Sequence, residues 1–189
     1  MHHFTQLALA GALALGTAGA AVAQEIYAPN LSYRTGPFAS TGIPLMDGQA
    51  DYMTLLNERD GGIGGVPIDF DECETGYSTE KGVECYERTK ANAVVTQPWS
   101  TGITLQVLPK TNQDEIPILA PGYGFSPMQD GRVFKWAFNP PASYWEGHSM
   151  IAQAISGGDL STLSGKKIAF LHLRSEEHTS ELQSLSHIS

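Results

Sequence analysis

Asn57-Glu58-Arg59-Asp60-Gly61-Gly62-Ile63-Gly64-Gly65-Val66-Pro67-Ile68 is the stretch on which the reading of this chain turns. Ahead of it, Met46, Ala50, Met53 and Leu56 recur three or four apart, the spacing of one helix face. Behind it, Val66 to Phe70 alternates with polar residues toward Asp71, the spacing of a strand. Gly61 and Gly62 suit a helix C-cap, where φ > 0 excludes most side chains. Gly64-Gly65 then turns the chain into the strand. The order is helix, turn, strand. A dinucleotide fingerprint runs the other way, strand to helix, so that a pyrophosphate meets a helix N-terminus. Gly62-Ile63-Gly64 is therefore a structural turn and not a nucleotide site.

Working outward, Ile26 to Tyr33 reads as a first strand interrupted near Pro29, and Pro44 fits the first turn of the helix running to about Arg59. After the Val66–Asp71 strand, Ser78 or Thr79 caps a helix through Lys90, with Glu80 near its positive end. Val94-Val95 opens a short strand ending at Trp99, and Ser100-Thr101-Gly102 begins a helix to about Lys110. Ile116–Leu119 is the next strand, followed by the loop Pro121-Gly122-Tyr123-Gly124, and Val133–Phe138 is a further strand. Ser143 and Glu146 form a capping box for a helix to Ser156 with the apolar face Met150, Ile151, Ala154 and Ile155. Lys166-Lys167 precedes a last strand, Ile168–Leu171. Strand, loop and helix repeat, which predicts an α/β fold: a three-layer, Rossmann-like lobe with a parallel sheet and helices on both faces.

Composition narrows the function. The 189 residues are 41% hydrophobic, enough for a globular core, and carry a formal net charge of -9. That charge disfavours nucleic acid and anionic membrane surfaces as partners. Beyond the N-terminus no apolar run is long enough to span a bilayer. Leu7 to Val22 is almost all Ala, Leu, Gly and Val and closes with Ala21-Val22-Ala23, which predicts a secretory signal cleaved after Ala23 and hence export. The n-region departs from the pattern, offering His2 and His3 but no Lys or Arg.

Export permits a disulfide between Cys73 and Cys85, worth about 3 kcal/mol for so short a loop. Two separate buried thiols are the alternative; a metal is disfavoured because no His lies near either cysteine. At the other end, Arg174-Ser175-Glu176-Glu177-His178-Thr179-Ser180-Glu181-Leu182-Gln183-Ser184 has no apolar periodicity and corresponds to the translation of a sequencing-library adapter. Arg174–Ser189 is accordingly read as an artefactual tail, and the chain as cut in mid-domain.

The chemistry on offer lies in three loops at the strands' carboxyl ends: Arg34–Gly42, Ser100–Gly102 and Gly122–Gly124. Ser100 and Thr101 put hydroxyls at a helix N-terminus, where free N–H groups favour an anion, a carboxylate being the simplest guest. The plainer role for Ser100 is to cap its helix. Gly122 and Gly124 let backbone approach a ligand, and Tyr123 can pack on it. Nothing forms a catalytic set: there is no Gly-x-Ser-x-Gly elbow, and His148 and His172 lie near no nucleophile in sequence. Glu72 and Glu74 read as solvated loop-end charges, and Trp99, Trp136 and Trp145 as core.

Tyr33-Arg34-Thr35-Gly36-Pro37-Phe38-Ala39, Asn57–Val66, Glu72–Tyr77 with Val83–Glu87, Ser100-Thr101-Gly102 and Lys166–Ala169, taken in order, resemble the branched-chain amino acid (Leu/Ile/Val) type of ABC-transporter substrate-binding protein. The resemblance runs from Gln24 to about Leu173. It implies a type I periplasmic binding protein with two lobes that close on a small ligand, no cofactor and no chemistry. Residues 24–139 would then be the first lobe, 140–173 the start of an incomplete second lobe, 1–23 the signal and 174–189 the tail. The resemblance places ligand contacts at Ser100, Thr101, Gly122, Tyr123 and Gly124, with Thr41 near the entrance. The resemblance implies a branched-chain amino acid, an amide or a small carboxylate as ligand; Gly124 stands where amino-acid binders often carry a Thr, and the absent hydroxyl favours a carboxylate, an amide or an aromatic acid over an α-amino acid. The implied partners are ABC permease and ATPase subunits, and the implied location is the periplasm. A ligand-sensing receptor ectodomain shares the fold and is the first competing expectation; a secreted hydrolase is the second.

Overall fold

The computed structural model describes residues 25–120 and 126–169. The signal segment, the Gly122–Gly124 loop, the strand residues from Phe170 onward, His172 and the Arg174–Ser189 tail lie outside the described residues. The first strand is two pieces, β1 (Ile26–Tyr27) and β2 (Asn30–Ser32). Helix α1 (Ala39–Asp60) follows, then a second strand in two pieces, β3 (Ile68–Asp69) and β4 (Glu72–Glu74). Helix α2 (Thr79–Thr89), β5 (Gln97–Pro98), α3 (Thr101–Asp114), β6 (Ile118–Leu119), β7 (Ala137–Phe138) and α4 (Tyr144–Ile155) complete the order.

Every strand pairing among the described residues is parallel. β1 pairs with β3, β2 with β4 and β5, and β6 with β7, while a bridge between Thr96 and Ile118 joins the third strand to the fourth. The spatial order is second, first, third, fourth, fifth, so the sheet reverses its winding between the first and third strands. Pro29 explains the break in the first strand. The N–H groups of Ile26, Ala28 and Asn30 donate to the second strand. The intervening donors face the third strand, and at position 29 that donor is missing.

The reversal puts helices on both faces. Leu31 points to the α2/α3 side, where it packs with Cys73, Cys85, Tyr86, Ile103, Val107 and Ile118 in the apolar core. Asn30, its neighbour, points to α1, and its amide reaches the Met46 sulfur at 3.1 Å. Gln49 of α1 likewise donates to Gln97 of β5 at 2.7 Å. One layer is thus apolar and the other largely polar.

The Gly-rich turn has its expected form. Gly61 caps α1 with φ 70°, and its N–H donates to Asn57 O; Gly62 donates to Leu56 O. Asn57 adds a second fastening, its amide exchanging two 2.8 Å bonds with the backbone of Ile68.

Several local expectations need correction. The helix starts at Ala39, so Pro44 lies in its second turn, exposed to water where the orphaned carbonyl is solvated. Glu72–Glu74 is strand and not loop, because its ladder with β2 continues past Asp71. The third strand is only Gln97–Pro98, the far part of the stretch expected from Val94 to Trp99, and the fifth is only Ala137–Phe138. Ile168 and Ala169 are not strand, and Ile168 is exposed. Trp99, Trp136 and Trp145 are half-buried rather than core. The capping box of α4 is formed, but the helix buries nothing: Met150 is 68% exposed and Ile155 72%.

Candidate functional site

In an open parallel sheet the crevice for a ligand lies beyond the strand carboxyl ends where the winding reverses. Here that is the gap between the ends of β2 and β5. Continuing their register past Leu31 and Pro98 sets Ser32 beside Trp99, with Ser100 next. Trp99 is steadied by its indole N–H, which donates to Asn30 Oδ1 at 2.6 Å. The Ser32 hydroxyl, almost fully buried, has no hydrogen-bond partner among the described residues.

Ser100 is the N-cap of α3. Its backbone is extended (φ -142°, ψ 132°), and its hydroxyl accepts from Ile103 N at 3.4 Å, a long cap bond. The capping role is therefore real. It leaves the Thr101 and Gly102 amides without partners among the described residues. Ser100 is 3% exposed and Thr101 5%, so the anion-favouring end of α3 is sunk below the surface. Low surroundings of this kind strengthen an interaction with charge. The wall on one side is the start of α2. A Cβ added to Gly102 would come 3.4 Å from Thr79 Oγ1 and 3.8 Å from Ser100 Oγ. Two helix N-termini thus stand side by side, with Gly102 leaving the space between their hydroxyls open. Thr79 was not legible as a site residue, because only the packing of α2 on α3 brings it there.

Thr41 lies exposed in the first turn of α1, on the other face of the sheet, its N–H donating to Phe38 O. Ser100 and Thr101 are together; Thr41 is at the same edge but separate. Gly122, Tyr123 and Gly124 fall outside the described residues, beyond the end of β6. A hollow of about 490 Å³ does lie past β6 and β7, between Leu119, Met128, Phe138 and Pro140, but Ser100 and Thr101 do not line it.

The charged groups at this edge are occupied with one another. Arg34 holds Glu72 with two bonds (2.8 and 2.7 Å) and Asp47 with a third (2.6 Å). Those hydrogen bonds, Glu72 first and Asp47 second, raise the Arg34 pKa above its ordinary value. Glu74 Oε2 accepts from Arg34 N at 2.7 Å, and Oε1 accepts from Thr35 N, Thr35 Oγ1 and Gly76 N at 3.2, 2.9 and 2.7 Å. Burial pushes the Glu74 carboxyl up, and these donors outweigh it, holding it below the usual carboxylate value. Glu72 and Glu74 are thus not free solvated charges. The signal was the parallel register: Ser32 faces Glu74, which sets Arg34 within reach of both acids.

Cys73 and Cys85 are joined by a disulfide that ties β4 to α2. Among the described residues there is no group of acids, His and Cys fit to hold a metal, and no helix is long and apolar enough to cross a membrane. The exposed His148 ring lies 2.6 Å from the Tyr144 carbonyl oxygen, within its own helix.

None of the curated proteins compared matches the chain. Among solved structures, an ABC transporter permease from the Pseudomonas fluorescens group is 34% identical with a TM-score of 0.75, covering 86% of this chain and 41% of that one. A branched-chain amino acid ABC transporter from Thermus thermophilus with bound valine is 23% identical (TM-score 0.58; 71% and 35% covered). A leucine binding protein from Thermotoga maritima is 12% identical (TM-score 0.60; 85% and 53% covered). The last two speak to the fold alone, and the chain spans 35–53% of the length of these three structures. The family model for periplasmic binding proteins matches residues 25–180, running a little way into the stretch read as an adapter tail. The chain belongs to the periplasmic binding protein family, whose members are solute-binding proteins.

Proposed function

We propose that this protein is the periplasmic solute-binding component of an ABC importer, and that it captures a small ligand through a carboxylate or amide oxygen without chemical change. The ligand class is a branched-chain amino acid, its amide or a small carboxylate. The observation that carries this reading is the sunken start of α3. Thr101 and Gly102 present unpaired amides there, the buried Ser32 hydroxyl at the end of β2 lacks a partner among the described residues, and Thr79 closes the side. Helix N-termini favour anions by the sum of free N–H groups and the helix dipole. With Arg34 and Glu74 engaged in internal pairs, recognition at this edge falls to amides and hydroxyls rather than to a free charge. The Thermus thermophilus protein of the same fold holds valine, and an amino acid of that size is among the ligands the test includes.

In this reading residues 24–139 form the first lobe and 140–173 begin a second, whose closure completes the pocket and presents the loaded protein to permease and ATPase subunits. The bare apolar side of α4 supports that division, since such a face belongs against a sheet of its own lobe. Residues 1–23 serve as the export signal, and residues 174–189 lie outside the functional protein.

The test is calorimetry on the protein at two-lobed length, using L-leucine, L-valine, isocaproate and isoamylamine. The acids should bind and raise the melting temperature; the amine, lacking an anion, should do neither. Thr101→Val and Gly102→Val should each weaken binding at least about tenfold, the first by removing a donor and the second by filling the space. Indifference to every acid tried would remove the basis of the assignment.

A further inference from the structure

We propose that Glu74 is a positioning residue for ligand capture: its carboxylate clasps the loop after β2 to the loop after β4, and so fixes where Thr79 stands against the start of α3. The proposal rests on the reading of the α3 N-terminus given above. Glu74 Oε1 accepts three bonds and Oε2 one, from backbone and hydroxyl donors of Arg34, Thr35 and Gly76, two segments about forty residues apart in sequence. Glu74 therefore braces the edge, its four bonds all spent on holding the two loops together.

What the clasp holds is not relaxed backbone. Gly76 and Tyr77 are consecutive left-handed residues, with φ 58° and 65°. A tyrosine enters that region only under constraint. Gly36, itself at φ 84°, lies so close that a Cβ on it would be 2.3 Å from the Gly76 carbonyl oxygen. The Tyr77 N–H donates to Thr75 Oγ1 at 3.1 Å, and its ring lodges between Tyr33 (centroids 5.0 Å apart) and Phe38 (4.5 Å). Two residues later the chain reaches Thr79, whose hydroxyl borders the space over Gly102. A shift of the clasp therefore moves the wall of the anion seat, which stands at the sheet's edge beyond the apolar core that α2 and α3 cover.

The experiment compares ligand affinity with stability in the two-lobed protein. Glu74→Gln keeps the side chain's size but turns one acceptor into a donor, which then opposes a donor it used to receive. The dissociation constants for L-leucine and isocaproate should rise about tenfold at room temperature. The ligand-free melting temperature should fall by only a few degrees. A residue acting only on folding stability would leave binding far below the melting temperature unchanged. Thr35→Val, which withdraws a single donor and leaves the charge, should shift affinity the same way by about threefold, and serves alone if Glu74→Gln does not fold. Combined with Glu74→Gln it should add nothing further. Unchanged affinity in Glu74→Gln, or in Thr35→Val where that serves alone, overturns the clasp while the site stands, provided Thr101→Val and Gly102→Val still weaken binding about tenfold. If those two also bind normally, or the parent binds neither probe, the reading of the site falls and the clasp with it.

Discussion

Thr96 buries a hydroxyl that has no partner among the described residues, one residue before β5 on the face that carries the apolar core. A buried, unpaired hydroxyl is a net cost, and valine has the same shape without it. Thr96→Val should therefore raise unfolding stability by about 1 kcal/mol, read from the shift of a urea midpoint at constant slope. A loss of that size would mean that the hydroxyl is used, for instance by an ordered water. Such a position is invisible in the sequence, where a threonine in a strand is ordinary. The same holds for Asn57. It lies inside the stretch that decides the helix-to-strand reading, yet its two bonds to Ile68 depend on an eleven-residue closure that no local pattern encodes. Ser100 is the opposite case. Its hydroxyl before a helical run was legible as a cap, and the structure shows that cap. Its burial and its neighbour Thr79 come from packing and were not legible.

Elements were legible where they are long or carry chemical punctuation. The end of α1 follows from Gly61, the start of α2 from Ser78 and the start of α4 from its capping box. The strands of two or three residues were expected longer than they are, and β4 was read as loop, because period-two alternation needs more residues than they have. Pro29 was a usable signal, since a missing donor breaks a ladder wherever it falls. The contact between α2 and α3 was not predicted, and it rests on Gly82. A Cβ there would lie 2.5 to 2.8 Å from three atoms of the Ile103 side chain. Gly82→Ala should therefore cost about 1–3 kcal/mol, in spite of alanine's better helix propensity. Ile103→Val, which removes one of those atoms, should recover part of the loss in the double variant. Equal or greater stability in Gly82→Ala alone would mean that the helices have room to separate, and that the disulfide from Cys85 to β4 does not hold α2 down.

At the scale of the whole molecule, the parallel sheet and its helices on both faces follow from the alternation of strand, loop and helix, whereas the reversal between first and third strands follows only from the register. That reversal gathers acidic partners on the outer layers, and their titration sets the acid limit of the fold. Burial raises the Glu74 carboxyl, but the N–H groups of Arg34 and Gly76 and the Thr35 donors bring it below its ordinary 4.5. Lys110 and Lys90 hold Glu87 down, and Tyr86 and Lys90 do the same for Asp114 below its ordinary 3.8. A carboxyl whose folded pKa is depressed binds fewer protons folded than unfolded. Its stabilisation is complete above the unfolded value and is lost as pH falls through the folded one. The three groups together predict a stability that is flat down to about pH 5 and then declines steadily toward pH 3. In Glu74→Gln the decline should be shallower by the share of one carboxyl, since the variant has no proton to gain there. Urea midpoints measured from neutral pH to about pH 3 would decide it. Parallel acid limbs for parent and variant would mean that Glu74 titrates alike folded and unfolded, and that its four donors do not favour the charged form.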